Sequence, residues 1–321
     1  LRDFLTNLQD DQWCFKNIQD LRELAKPATV IDGQHRLLGA SSREQEIPFT
    51  FCAIFDCPWE EQVFQFTVVN YTAKRIPDQF ITANAAFTLT KSELNLLKTR
   101  FEQANIKVLE FDLMEVVNSN HKSPFYSLVN LSEKNNPSKI GYKTMVKIAK
   151  VWHSAKHSKI PLVIFPNLEE YDPILKEQAS KKGRIHIWSN KYWDKFFLEF
   201  WDVIHSVYKD CESYEEGYTL WDVGHSQLML SIVLYEFQEC ILNHCTRNKK
   251  NYAGDNLEEI LSQFRDEVYS IVSAFPADFF ALKWKSTGLN TGTGRKLLKD
   301  TFNTLVTEAE FSYKQCKLVT G

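Results

Sequence analysis

Five consecutive residues, Asp32-Gly33-Gln34-His35-Arg36, place a carboxylate, an amide, an imidazole and a guanidinium around one glycine. Each type has a role in phosphate chemistry. Arg36 can fork onto phosphate oxygens. Asp32 can hold a divalent cation such as Mg²⁺. His35 can give or take a proton, and Gly33 permits a left-handed backbone. The β-branched run Ala28-Thr29-Val30-Ile31 precedes them and the apolar residues Leu37, Leu38 and Ala40 follow. The pattern predicts a strand, a polar loop and a helix start, where unpaired backbone N–H groups favour an anion. The simpler alternative is a helix capped by Asp32 with Arg36 in a surface ion pair.

A second junction follows. The β-forming run Ile47–Phe55 predicts a buried strand, and Asp56-Cys57-Pro58-Trp59 turns the chain into a helix over Glu60–Asn70. That helix leads into a polar loop, Asn70-Tyr71-Thr72-Ala73-Lys74-Arg75. Asn70 there suits a helix C-cap. A strand-helix-strand-helix unit with polar residues at two junctions is a common setting for a ligand site.

The string Asp32 to Arg36 with Leu37 and Ala40, together with Phe66, Asn70 and Thr72-Ala73-Lys74, resembles the DGQHR-domain family, which includes the DndB- and DpdB-type accessory proteins of DNA modification. The resemblance covers residues 28 to about 85. It is distantly similar to the ParB and sulfiredoxin superfamily and implies an α+β, ParB/sulfiredoxin-like core at 1–85, with a mostly helical domain at 86–321. It further implies ATP or another nucleoside triphosphate as ligand and substrate. Asp32, His35 and Arg36 would be catalytic, Gly33, Gln34, Arg36, Asn70, Thr72 and Lys74 would bind the nucleotide, and Mg²⁺ would sit at Asp32. The function implied is triphosphate hydrolysis in support of an enzyme of 7-deazaguanine insertion or phosphorothioation. The alternatives are a DNA-binding regulator or assembly module without hydrolysis, and a metal-dependent nuclease using His35 and Asp32.

Beyond residue 85 the reading is helical: Leu89–Ala104, Tyr142–His157, Lys191–Lys209, Gln227–Thr246, Asn256–Phe275 and Arg295–Glu310, with short helices also expected within residues 2–25. Asn118–Lys139 reads as a loop or mobile insertion and Glu169–Gly183 as a polar connection. Trp188, Trp193 and Trp201 with Phe196, Phe197 and Phe200 read as core or helix-interface aromatics. Thr287–Lys296 carries three glycines before a helix and is a weaker phosphate-cradle candidate that lacks the P-loop spacing. Lys181, Lys182 and Arg184, with Arg295 and Lys296, are the candidates for contact with a DNA backbone.

Composition sets the outer bounds. The 321 residues suit two domains, and 44% hydrophobic with 25% charged residues describes a folded globular chain. A net charge of −3 excludes binding nucleic acid through bulk charge alone. Seven cysteines at irregular spacing fit reduced thiols better than disulfides. Cys52 with Cys57, and Cys240 with His244 and Cys245, lack zinc-knuckle spacing. His153 and His157 share a helical face but have no Glu between them, and a surface or partly buried pair is expected. No apolar run is long enough for a membrane helix, and no signal-peptide pattern is present. These bounds lead to the expectation of a cytoplasmic protein without a membrane span, and the resemblance implies DNA and a modification enzyme as partners, with self-association left open. Leu1 is not an initiator methionine, so the first domain is expected to be incomplete at its N-terminus.

Overall fold

The computed structural model describes residues 5–7, 13–15, 30–42, 52, 54, 57–73, 81, 90–104, 109–132, 136–153, 168, 172–177, 180–248, 252, 254, 256–308 and 311–321. The chain divides into two compact units, Leu1–Val108 and Leu109–Gly321. The division falls later than residue 85 because helix α3 (Lys91–Gln103) packs against helix α2 (Trp59–Ala73). Arg100 donates from Nε and Nη2 to the two carboxylate oxygens of Glu61 at 3.1 and 2.9 Å, while its guanidinium lies 4.7 Å from the Phe64 ring. Thr90 and Glu93 close a capping box at the start of α3.

In the first unit a small antiparallel sheet joins β1 (Leu5–Asn7) and β2 (Trp13–Phe15), with Leu5 opposite Phe15 and Asn7 opposite Trp13. This corrects the short helices expected at those positions. The aromatic Trp13-Cys14-Phe15 triplet favours extended pairing, and no helical periodicity is sustained there for more than a turn. Val30 and Ile31 are not in a strand, and neither are Cys52 and Ile54 from the predicted Ile47–Phe55 run. Ala28, Thr29 and the rest of that run lie outside the described residues. A strand is defined by a paired neighbour as much as by its own β-branched side chains.

The second unit is built from helices: α4 (Leu109–Met114), α5 (Tyr142–His153), α6 (Pro173–Glu177), α7 (Lys181–Lys191), α8 (Trp193–Tyr208), α9 (Ser231–Asn248), α10 (Leu257–Val272), α11 (Ala277–Ala281), α12 (Gly292–Thr307) and α13 (Lys317–Thr320). A short parallel pair, β3 (Val129–Asn130) and β4 (Ile140–Gly141), precedes α5. The described chain is thus an α+β mixture dominated by helix.

Helix α8 shows why these elements form and where they pack. Trp193, Phe196, Phe197, Phe200, Trp201, Ile204 and Tyr208 recur at helical spacing, and all are buried. They meet α10, whose Leu257, Ile260, Leu261, Phe264, Val268, Ile271 and Val272 form the complementary stripe. Asn256 caps α10 by accepting the Glu259 N–H at 3.1 Å, and Glu258 and Glu259 favour its positive end. Trp152 of α5 packs on Phe197, Phe200 and Phe264. A second aromatic cluster joins Phe237, Phe275, Phe280 and Phe302 where α9 meets α12. Each buried ring contributes about 2–3 kcal/mol by removal from water, so the aromatic-rich composition acts as core, as its spacing predicted.

Two connections are more structured than their polarity suggested. Within Asn118–Lys139, Phe125 is fully buried and Ser123 Oγ donates to the Val117 carbonyl, so the segment is an anchored series of turns. Within Glu169–Gly183, Asp172 and Pro173 start α6, and Ser180 starts α7 by accepting the Gly183 N–H at 3.1 Å. In the second stretch, Asp172 and Ser180 act as caps and turn it into two helix starts.

Candidate functional site

Helix α1 (Gln34–Ser41) starts three residues earlier than the Leu37 expected from the sequence, so Gln34, His35 and Arg36 form its first turn instead of a loop. The cap is Gly33, not Asp32. Its φ of 87° lies in the left-handed region, and no side chain hydrogen-bonds the helix N-terminus. The Leu37 N–H donates to the Gly33 carbonyl at 3.0 Å, which fixes the first turn. Gln34 folds back so that Nε2 donates to the Val30 carbonyl at 3.1 Å. Arg36 folds back likewise, Nη2 donating to Asp32 Oδ2 at 2.9 Å.

The surface ion pair weighed against the phosphate reading is therefore present. The pair is exposed, with 73% of the Arg36 side chain accessible, so its own contribution to stability is small. Gln34, His35, Leu37 and Leu38 are exposed as well, and no residue of α1 is buried. A helix that buries nothing while displaying an amide, an imidazole and a guanidinium at an uncapped N-terminus is poorly explained by packing. The arrangement can present backbone N–H groups and a guanidinium to one anion.

Asn70 and Thr72 do not lie in a loop. Helix α2 runs to Ala73 and places both in its last turn, so Asn70 is not the C-cap. The helix continues because Asn70-Tyr71-Thr72-Ala73 contains neither Gly nor Pro to stop it. Their side chains, and all of Lys74, lie outside the described residues. The structure thus brings Asp32 and Arg36 together, while the Asn70, Thr72 and Lys74 part of the expected site rests on the sequence.

The DNA-backbone candidates lie at two helix starts. Lys181, Lys182 and Arg184 occupy the first turn of α7, with both lysines exposed and no acidic residue among them. Arg295 and Lys296 occupy the first turn of α12, again exposed and without an acid. The glycine-rich loop before α12 folds on itself. Thr291 Oγ1 donates to the Gly288 carbonyl at 2.7 Å and accepts the Gly294 N–H at 3.1 Å. A Cβ on Gly294 would come within 2.4 Å of the Gly288 oxygen, so this glycine is explained by close backbone packing.

A charged seam between α5, α9 and α12 escaped the sequence reading. Glu236 is buried, its Oε2 makes no hydrogen bond, and Lys299 Nζ stands 3.5 Å away. Lys147 Nζ lies 3.5 Å from the centre of the Tyr235 ring. Burial, then the Arg295 charge, lowers the Lys147 pKa against the opposing pull of Glu236 and Glu239. Burial, then Glu236, raises Glu239. The available signal was a lone Glu inside the apolar stretch Ile232-Val233-Leu234-Tyr235-Glu236-Phe237.

No family model, no curated protein and no solved structure matches this chain.

The remaining candidates resolve into packing. Cys240, His244 and Cys245 are buried on α9, and burial holds the Cys240 thiol up at about 12 and the His244 imidazole down. A thiol kept protonated in this way is a poor nucleophile. Cys52 is exposed, and both it and Cys57 are free thiols. His153 is partly buried against the Trp193 ring at 5.4 Å, and His157 lies outside the described residues. Among the described residues no group of three or more His, Cys, Asp or Glu side chains could hold a metal ion. Among the same residues no helix is long and apolar enough to cross a membrane.

Proposed function

We propose that this chain binds a nucleoside triphosphate at the Asp32–Arg36 loop and hydrolyses it in support of a DNA-modification enzyme. One observation carries the reading: Gly33 at φ 87° opens an uncapped helix whose first turn exposes Gln34, His35 and Arg36. The resemblance to the DGQHR-domain family, and through it to a ParB/sulfiredoxin-like core, supplies the nucleotide and the modification system.

The chemistry follows from the groups present. Backbone N–H groups of the first turn and the Arg36 fork take phosphate oxygens and stabilise the charge that builds as the terminal phosphoryl group transfers to water. His35, exposed beside them, exchanges a proton with the attacking water or the leaving oxygen. Asn70, Thr72 and Lys74 complete the phosphate and nucleoside contacts. Asp32, the carboxylate of the loop, would be the residue to hold Mg²⁺. Mg²⁺ so held supplies charge neutralisation of the triphosphate.

The test is a thermal-shift screen of ATP, GTP and CTP with and without Mg²⁺, followed by phosphate release with and without duplex DNA. A ligand that binds the folded state raises the midpoint by mass action. Failure of all three nucleotides to shift the midpoint would overturn the reading.

A DNA-binding regulator without hydrolysis is the second reading, favoured by a separate observation. Lys181 and Lys182 open α7, and Arg295 and Lys296 follow the first three residues of α12, with no acid in either first turn. The positive end of a helix disfavours cations by about 0.3–1 kcal/mol each, so an anionic partner such as a DNA backbone would relieve both. Salt-dependent binding of duplex DNA with no phosphate release supports this reading against the first. The nuclease alternative predicts metal-dependent nicking of the same duplex.

A further inference from the structure

We propose that Lys147 is a modification site that takes an acyl group from a small acyl phosphate, with Glu239 as the proton acceptor and Arg295 and Lys299 as the cradle for the phosphate. The groups belong to the charged seam of the second unit. Lys147 is on α5, Tyr235, Glu236 and Glu239 are on α9, and Arg295 and Lys299 are on α12.

Their arrangement is that of a held nucleophile. Lys147 is exposed, yet its Nζ lies 3.5 Å from the centre of the half-buried Tyr235 ring, which fixes the amine over α9. Glu239 follows Tyr235 by one helical turn, so a half-buried carboxylate shares the helix face that carries the ring. Glu236 is buried between them in sequence, its Oε2 makes no hydrogen bond, and Lys299 Nζ stands 3.5 Å away. That buried charge holds Lys299 at the seam. Arg295 precedes Lys299 by one turn of α12, and both are exposed.

Like charges gathered in this way disfavour the ammonium form. Burial first, then Arg295 and Lys299, outweigh the pull of Glu236 and Glu239 and lower the Lys147 pKa. Burial and Glu236 raise Glu239, which makes it the better proton acceptor. A lysine placed beside other cations is an activated nucleophile. An acyl phosphate uses every group present. The neutral Nζ attacks the carbonyl carbon and the C–N bond forms as the bond from that carbon to the phosphate oxygen breaks. The phosphate leaves with the electron pair onto Arg295 and Lys299, and the proton lost by nitrogen passes through Glu239 to the departing phosphate. A neutral electrophile would leave the two cations of α12 unused.

The test is treatment of the full chain with acetyl phosphate at neutral pH, with acetylation of each lysine read by peptide mass spectrometry. Lys143, exposed one turn before Lys147 on the same helix, is the internal control. Lys147 should be acetylated about tenfold faster than Lys143, a modest share of what a positioned base contributes. Inorganic phosphate added at constant ionic strength should slow Lys147 and spare Lys143. Glu239→Gln and Arg295→Gln should bring the two rates together with the thermal midpoint unchanged, and Arg295→Lys should restore the difference. Equal rates at Lys147 and Lys143 in the wild type would overturn the site. A faster Lys147 that responds neither to added phosphate nor to Arg295→Gln would overturn the acyl phosphate as its donor.

Discussion

Trp152 of α5 and Gln238 of α9 are fully buried and joined by a hydrogen bond, the indole Nε1 donating to Gln238 Oε1 at 2.8 Å. Gln238 Nε2 in turn donates to the Ile148 carbonyl at 3.3 Å, so one amide locks α9 to α5 at two points. The Trp152 carbonyl also accepts from Trp188 Nε1 at 2.6 Å, which brings α7 into the same network. Polar groups satisfied in this way fix the register of three helices that apolar contact alone would leave free to slide.

Gln238→Leu keeps the volume but orphans the Trp152 indole. The expected loss is about 1–3 kcal/mol, the cost of one unsatisfied buried donor. Urea unfolding followed by tryptophan fluorescence measures it, and an unchanged midpoint would show that the network does not hold the helices.

Asp172 gives the second unit an acid-sensitive joint. Burial pushes its carboxyl up, but the Lys191 ammonium, the Tyr192 hydroxyl and the Ile174 N–H together outweigh burial and hold it below its ordinary value of 3.8. Asp172 Oδ2 accepts from Lys191 at 2.7 Å and from Tyr192, which ties the start of α6 to the junction of α7 and α8. A depressed folded pKa contributes stability that is fully present above the unfolded value and is lost as pH falls through the folded one. Asp172→Asn should therefore lower stability at pH 7 and converge on wild type as the pH drops well below 3.8. Thermal melts across that range decide it; a gap that persists at low pH would assign the effect to shape instead of charge.

Gly292 and Gly294 stand two residues apart and should respond in opposite ways. Gly294→Ala drives a methyl into the Gly288 and Leu289 backbone and should cost about 1–3 kcal/mol. A methyl on Gly292 would meet nothing within 4 Å, so Gly292→Ala should stay within about 0.5 kcal/mol of wild type. Denaturant unfolding of the two variants checks the contrast. Equal effects would mean that the loop is not held by this packing.

Arg36→Ala should reduce phosphate release about a hundredfold or more, as expected for loss of a principal donor to the transferring group. Asp32→Ala should also lose turnover, because the metal-complexed substrate loses its protein ligand. Both side chains are exposed, so thermal midpoints without ligand should not move. Wild-type release rates in well-folded variants would reject the assignment of this loop.

The sequence by itself determined the long helices α5, α8, α9, α10 and α12 of the second unit to within a few residues, but not α4, α6, α7, α11 or α13. Trp193, Phe196, Phe197, Phe200, Trp201 and Ile204 repeat at a spacing that only a helix gathers on one face, so local periodicity was enough. It also placed a helix after the polar residues, beginning at Leu37, but the structure starts that helix at Gln34, directly after the left-handed Gly33. Tertiary structure decided what depends on partners distant in the chain. Val30 and Ile31 have strand-forming side chains but no strand, since a ladder requires a second edge at the right place. Glu236 meets Lys299, and Glu61 meets Arg100, only because separate helices pack together. The Asp32–Arg36 loop lies between these cases. Its residue types were legible as phosphate chemistry, but that Arg36 folds across Gly33 to its own carboxylate is a matter of rotamer and backbone, visible only in three dimensions.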